Sequence, residues 1–279
     1  MSHLINGNAK LDEKLWYVKD GLLYGCFAKE DTLTLPKEVR AIRANAFSLA
    51  RARSIVIPHP VVMHPYAFCG STFEEITLPE GTKRIEEKTF AGARHLARVH
   101  NLETVTYVGP EAFAGCTSLK EWHMEQLMDM IDESAFENAG LTSLRVRCKV
   151  IGRKAFWKCA SLEVVEVMNA LLIEDSAFAY CASLQTLQLK KPLLRLGDHA
   201  FHGCSGLRQV DLPSSLQECG FRCFAEVPDV HATVSKRLKP LVEDDCVIEK
   251  WQKDFPRVLD FEEDVSCTVF ENTATIHYV

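Results

Sequence analysis

Apolar and polar positions repeat along the chain in one pattern, written nine times. Its clearest copy is LGDHAFHGCSGLRQVDLP, from Leu196 to Pro213: an apolar residue, then Ala200-Phe201, a small residue at Cys204, and Leu207, Val210 and Leu212. The phenylalanines of the nine copies are Phe47, Phe68, Phe90, Phe113, Phe136, Phe156, Phe178, Phe201 and Phe224, so the period is 20 to 23 residues. Five positions before them stand Ile42, Met63, Ile85, Val108, Ile131, Ile151, Ile173, Leu196 and Cys219, with no break in the offset. A fixed period of that length is the mark of a solenoid, in which no coil buries its own apolar face and each relies on its neighbours.

The second part of each copy alternates like a short strand: SIVIP (54–58), EITLP (75–79), EWHM (121–124), LRV (144–146), VVEV (164–167), TLQL (186–189) and QVDLP (209–213). Stacked coils would set these side by side as a parallel ladder. The copies after Phe47, Phe68 and Phe136 are a residue shorter before the strand. What remains of each coil is too short for a long helix, which predicts turns, 3₁₀ segments or single helical turns around the Ala-Phe pair. Gly109, Gly152, Gly197 and Gly220 follow the apolar anchor and are expected where the backbone turns sharply.

Outside the array the pattern changes. Residues 1–40 read as an N-terminal cap: LWYVKDGLLYGCF predicts a hairpin about Lys19-Asp20-Gly21, and TLTLP supplies a strand without its phenylalanine half. Residues 41–225 form the array of about nine coils, and 226–279 a C-terminal cap or a small binding extension. In that last part Val247, Ile248, Trp251 and Phe255 have helical spacing, and SCTVFENTATIHYV predicts a hairpin about Glu271-Asn272.

Composition narrows the function. With 47% hydrophobic residues a continuous core is affordable, and a net charge of −6 argues against nucleic acid or an anionic membrane as a general partner. No apolar run is long enough for a membrane helix, so no membrane insertion is expected. The opening MSHLINGNAKLDEK lacks a secretory layout, giving a cytoplasmic expectation, or a cell-surface one if a leader was removed. Of the 11 cysteines, Cys116, Cys159, Cys181 and Cys204 all lie three residues after a repeat phenylalanine, where other copies have Ala50, Ala93 and Ala139. A position that exchanges Cys with Ala calls for a small buried group, not a metal ligand or a disulfide partner.

The runs Leu207-x-x-Val210-x-Leu212-Pro213 and Ile151-Gly152-x-x-Ala155-Phe156-x-x-Cys159 resemble the BspA-type (Treponema pallidum type) leucine-rich repeat. The resemblance covers about two-thirds of the chain. It implies a repeat solenoid of the α/β leucine-rich-repeat type, mostly β with short turns or 3₁₀ segments. The array would be right-handed and curved, with its parallel ladder on the concave face. Family members are usually described as adhesion or protein-binding proteins.

On such a ladder the residues between the buried ones face outward. The middle of the array offers Arg98, His100, Glu121, His123, Arg145, Arg147, Glu166 and Gln188 as candidates for partner binding. His100 and His123, as rung neighbours with Glu121 beside them, would suit a metal, although Arg145 on the next rung would repel a cation. Lys149, Arg153, Lys154 and Lys158 extend the basic character toward an acidic partner. No nucleophile elbow, P-loop, dinucleotide fingerprint or zinc-protease motif occurs. Cys267 with His277 is a conceivable nucleophile pair that nothing in the sequence activates. The leading expectation is a non-enzymatic protein-binding module with no cofactor and no small-molecule substrate. The alternatives are a metal-dependent or enzymatic module based on the tail or the His100/His123 patch, and a structural element that assembles through its ends.

Overall fold

The computed structural model describes residues 16–227 and the strands at 231–235, 258–262, 265–270 and 273–278. A hairpin opens it: β1 (Trp16–Lys19) and β2 (Leu22–Cys26) pair antiparallel. The turn between them places Asp20 and Gly21 at φ 51° and 77°, as a two-residue hairpin loop requires.

Each coil then contributes two short strands, stacked in two parallel series. The first, called the face series here, runs β3 (Thr32–Thr34), β5 (Ser54–Val56), β7 (Glu75–Thr77) and β9 (Arg98–His100). It resumes with β11 (Glu121–Ile131), β12 (Ser143–Ile151), β13 (Val164–Met168), β15 (Thr186–Leu189), β17 (Gln209–Asp211) and β19 (His231–Ser235). The second series carries the apolar anchors: β4 (Ala41–Ile42), β6 (Val62–Met63), β8 (Arg84–Ile85), β10 (Tyr107–Val108), the ends of β11 and β12, then β14 (Leu172–Ile173), β16 (Arg195–Leu196) and β18 (Glu218–Cys219). β20 (Val258–Glu262), β21 (Val265–Phe270) and β22 (Thr273–Tyr278) continue from β19, the last two antiparallel about the hairpin expected at Glu271-Asn272. The helical spacing at 247–255 lies outside the described residues.

The nine phenylalanines form one file. All are fully buried, and successive ring centroids lie between 4.5 Å (Phe47–Phe68) and 5.4 Å (Phe68–Phe90) apart. From Phe113 to Phe224 the rings are within 8° of parallel, whereas Phe68–Phe90 and Phe90–Phe113 are tilted by 29° and 23°. The centroid spacing follows from the strand spacing of about 4.8 Å, because each ring rides on a coil held to the next by backbone hydrogen bonds.

Among the described residues the turn side contains no helix and no 3₁₀ segment, only hydrogen-bonded turns. The residue two before every repeat phenylalanine has positive φ: Asn45, Tyr66, Lys88, Glu111, Ser134, Lys154, Ser176, His199 and Arg222. That conformation aims successive amides along the array. Phe68, Phe90, Phe113, Phe136, Phe156 and Phe178 each donate an N–H to a carbonyl of the following coil at 2.7–2.8 Å. The expectation for Gly109, Gly152, Gly197 and Gly220 is corrected here. None is left-handed; the sharp turn belongs to the residue two further on. These glycines are required by close approach instead, since a Cβ on Gly109 or Gly152 would come within 2.9 or 2.8 Å of the preceding coil's backbone.

The cysteines at the exchangeable position donate their thiols to the preceding coil. Cys116 Sγ reaches Phe90 O at 3.2 Å, Cys159 reaches Phe136 O at 3.0 Å, Cys181 reaches Phe156 O at 3.3 Å and Cys204 reaches Phe178 O at 3.2 Å. Burial pushes the Cys116 and Cys159 thiols up to about 12, so they stay protonated and unreactive. Alkylation of the native protein near neutral pH should spare these four and mark the half-buried Cys69 and Cys219 well before them. Mass spectrometry of the labelled peptides checks it, and all of these sites should label once the chain is unfolded.

His202 is nearly buried, its Nε2 3.2 Å from the Tyr180 hydroxyl and 3.4 Å from a Glu226 carboxylate oxygen, and its Nδ1 has no partner. Burial pushes this imidazole below its ordinary value, with Glu226 pulling the other way. The unfolded chain therefore takes this proton more readily. The stability tied to neutral His202 is complete above about pH 6.5 and declines as pH falls below it. His202→Gln should flatten that part of the acid-side decline, as read from urea midpoints measured across pH.

Candidate interaction face

Alternation along the face strands puts every second side chain into the core and the others outward, and parallel register lines the outward ones up from coil to coil. In the larger sheet one row reads His123, Arg145, Glu166, Gln188 and Asp211, each directly opposite the next. A second row reads Glu121, Ser143, Val164 and Thr186. In the sheet formed by β3, β5, β7 and β9 the corresponding rows end on His100, after Thr34, Val56 and Thr77, and on Arg98, after Thr32, Ser54 and Glu75.

Ion pairs and hydrogen bonds link neighbours along these rows. Arg145 Nε lies 3.3 Å from Glu166 and its Nη1 3.7 Å from Glu125; Arg98 Nη1 lies 3.4 Å from Glu75 and His100 Nε2 3.6 Å from the same carboxylate. His123 Nε2 is 3.0 Å from the Ser143 hydroxyl. These pairs are exposed or half exposed, so each is weak and exchanges readily for a contact with a partner. Arg147 stands apart. It sits beyond the rows, next to the register shift between Met124 and Leu127, and donates to Asn169 Oδ1 at 3.2 Å and Glu125 O at 3.4 Å.

The expected neighbourhood of His100 and His123 is corrected by the sheet topology. Among the described residues β9 pairs only with β7, and the first residues of β11 only with β12, so the ladder is interrupted between the two histidines. β8, β10 and β11 remain paired on the anchor side. The interruption is a depression of about 500 Å³ lined by Arg98, Val99, His100, Lys120, Trp122 and His123 among others. Beside the interruption, the strand position that holds buried Ile55, Ile76, Leu144, Val165, Leu187 and Val210 in other coils, and half-buried Val99 across the gap, holds Trp122. The indole packs at a steep angle against the stacked pair Phe113 and Phe136, with ring centroids at 5.0 and 4.8 Å, and its buried Nε1 has no hydrogen-bond partner. Gln126 spans the interruption at its far end, donating to Leu102 O at 2.7 Å and Val105 O at 3.0 Å.

β11 and β12 also run longer than the expected EWHM and LRV, to 11 and 9 residues, because they continue unbroken from the face series into the anchor series. The basic side chains beyond the face are engaged locally. Lys149 meets Asp129 and Arg153 meets Glu133, each at 2.7 Å, while Lys158 lies 4.0 Å from the Trp157 ring centre and Lys154 5.5 Å from it. Among the described residues no group of three His, Cys, Asp or Glu side chains is placed to hold a metal ion. The side chains of Cys267 and His277 lie outside the described residues.

The model of the BspA type leucine rich repeat region matches residues 40–163 and 171–241, in 6 copies. A search of curated proteins finds no match. Solved structures similar to this chain include a leucine-rich repeat protein from Bacteroides ovatus, at 18% identity and a TM-score of 0.32, covering 90% of this chain and 98% of that one. A leucine rich cell surface protein from Faecalibacterium prausnitzii matches at 16% identity and a TM-score of 0.43, covering 90% and 96%. The T. pallidum leucine rich repeat protein matches at 18% identity and a TM-score of 0.39, covering 84% and 87%.

Proposed function

Because the chain belongs to the BspA-type leucine-rich repeat family, we propose that it is a non-enzymatic module that binds another protein through the face series of strands. The observation that carries this reading is the row His123, Arg145, Glu166, Gln188 and Asp211, five polar side chains held in register on consecutive coils. Rows of this kind present a long rigid surface whose residues vary freely, because none of them is needed for the core. Parallel strands joined by crossovers wind right-handed in nearly all known cases, so the array is right-handed in this reading. Its strand face is then the concave side on which a partner rests. Arg98, His100, Glu121 and His123 at the interruption, with Arg145, Glu166 and Gln188 beyond it, form the contact; Arg147 supports it from the bend.

Charge reversal tests it. An Arg98→Glu, Arg145→Glu double variant should lose a partner recovered from native cells, with Tm within about 2 °C of the parent, since exposed substitutions barely alter stability. Affinity purification read by mass spectrometry, beside a thermal melt, gives both numbers. Retention of the partner by the folded double variant would contradict the reading.

A further inference from the structure

The interrupted ladder leaves two strand edges facing each other. Arg98 N donates to Glu74 O at 3.1 Å and His100 O accepts from Leu78 N at 3.3 Å, so both residues turn their backbone groups toward β7. Val99, between them, turns its N–H and C=O toward the opening. Across the gap, Lys120 O accepts from Thr142 N at 2.8 Å, which turns Lys120 and Trp122 toward β12 and leaves Glu121 and His123 facing β9. Alternation of backbone direction along a strand requires this assignment. Unpaired edges of this kind are templates for another strand, and peptide-binding modules use them so.

The lining chemistry selects the occupant. Arg98, Lys120, His100 and His123 surround the depression against one lining carboxylate, Glu121; Glu75 lies against Arg98 and His100, and Lys120 Nζ donates to the Thr117 and Gly140 carbonyls at 3.1 and 3.3 Å, exposed contacts that an incoming carboxylate would replace. Leu119, Val99, Leu102 and Trp122 supply its apolar part. We propose that this gap receives an extended, acidic segment of a partner protein as an inserted strand. Its backbone pairs with Val99 on one side and with Glu121 and His123 on the other, and its carboxylates reach Arg98 and Lys120. The inference rests on the protein-binding reading above and deepens it by giving the partner's conformation and charge.

The test uses the full chain, isotopically labelled, and an octapeptide of alternating glutamate and valine blocked at both ends. At saturation the amide exchange of Val99, Glu121 and His123 should slow by at least about ten-fold, and N-methylation of alternate peptide amides should weaken binding by about ten-fold or more, as loss of paired hydrogen bonds requires. Equal binding of the methylated peptide, unchanged exchange at those three amides, or no binding at millimolar peptide would each overturn the inserted strand. Equal binding of a lysine–valine octapeptide would overturn the acidic preference. Slowing of the same amides with protein concentration alone would assign the gap to a second copy of the chain and overturn the proposal. None of these outcomes touches the charge-reversal result, which judges the face reading separately.

Discussion

Phe136→Ala is expected to lower stability by about 3–5 kcal/mol, read as a fall in the urea midpoint of unfolding. The ring is fully buried, with Phe113 centred 5.0 Å away on one side and Phe156 5.1 Å away on the other, both within 6° of parallel. The Trp122 indole closes on it edge-first at 4.8 Å. Truncation therefore empties the contact to two neighbouring coils at once, and stability in a stacked array comes mostly from such nearest-neighbour interfaces. Phe136→Leu keeps most of the volume and should cost clearly less, about 1–2 kcal/mol. Equal losses for the two variants would mean that the file of rings is not what joins the coils.

Gly140→Ala should be as damaging, though alanine is ordinarily harmless. A Cβ there would overlap the Thr117 carbonyl of the preceding coil, while Gly140 N already donates to Cys116 O at 3.1 Å. The two coils must separate or lose that bond, which should cost about 3 kcal/mol or more. Gly81 makes the comparison, because its φ of +79° favours glycine yet nothing lies within 4 Å of the added Cβ. Gly81→Ala should cost only about 1–2 kcal/mol, the price of a left-handed alanine. Thermal melts of the two variants decide the order, and a larger loss at Gly81 would contradict the packing account.

The phenylalanine file was legible in the sequence because period and offset are properties of position, and stacked coils preserve position. The left-handed turn residues were not legible. Asn45, Tyr66, Lys88 and Glu111 share no side-chain chemistry, and what they have in common is an N–H donated to a carbonyl of the following coil. The glycines after the anchors are visible in the sequence but their reason is not, because sequence shows the missing Cβ and not the backbone that would meet it. The long β11 had a signal in the continuing alternation of Trp122, Met124, Met128 and Met130. The outward residues of the face followed from alternation alone. The interruption between His100 and His123 did not, although Trp122 stands beside it where other coils have Ile, Val or Leu. A parted ladder shows only in the distance between coils, which no repeat pattern contains.

Binding through the face strands is tested most directly by placing a photo-crosslinking amino acid around one stretch of the array: at Gln188 on the face, at Glu137 on the turn side and at Lys149 beyond the face. Irradiated in extracts of the native cells, Gln188 should capture a specific protein while Glu137 and Lys149 capture none. Capture from Glu137 or Lys149, with Gln188 silent, would contradict the account.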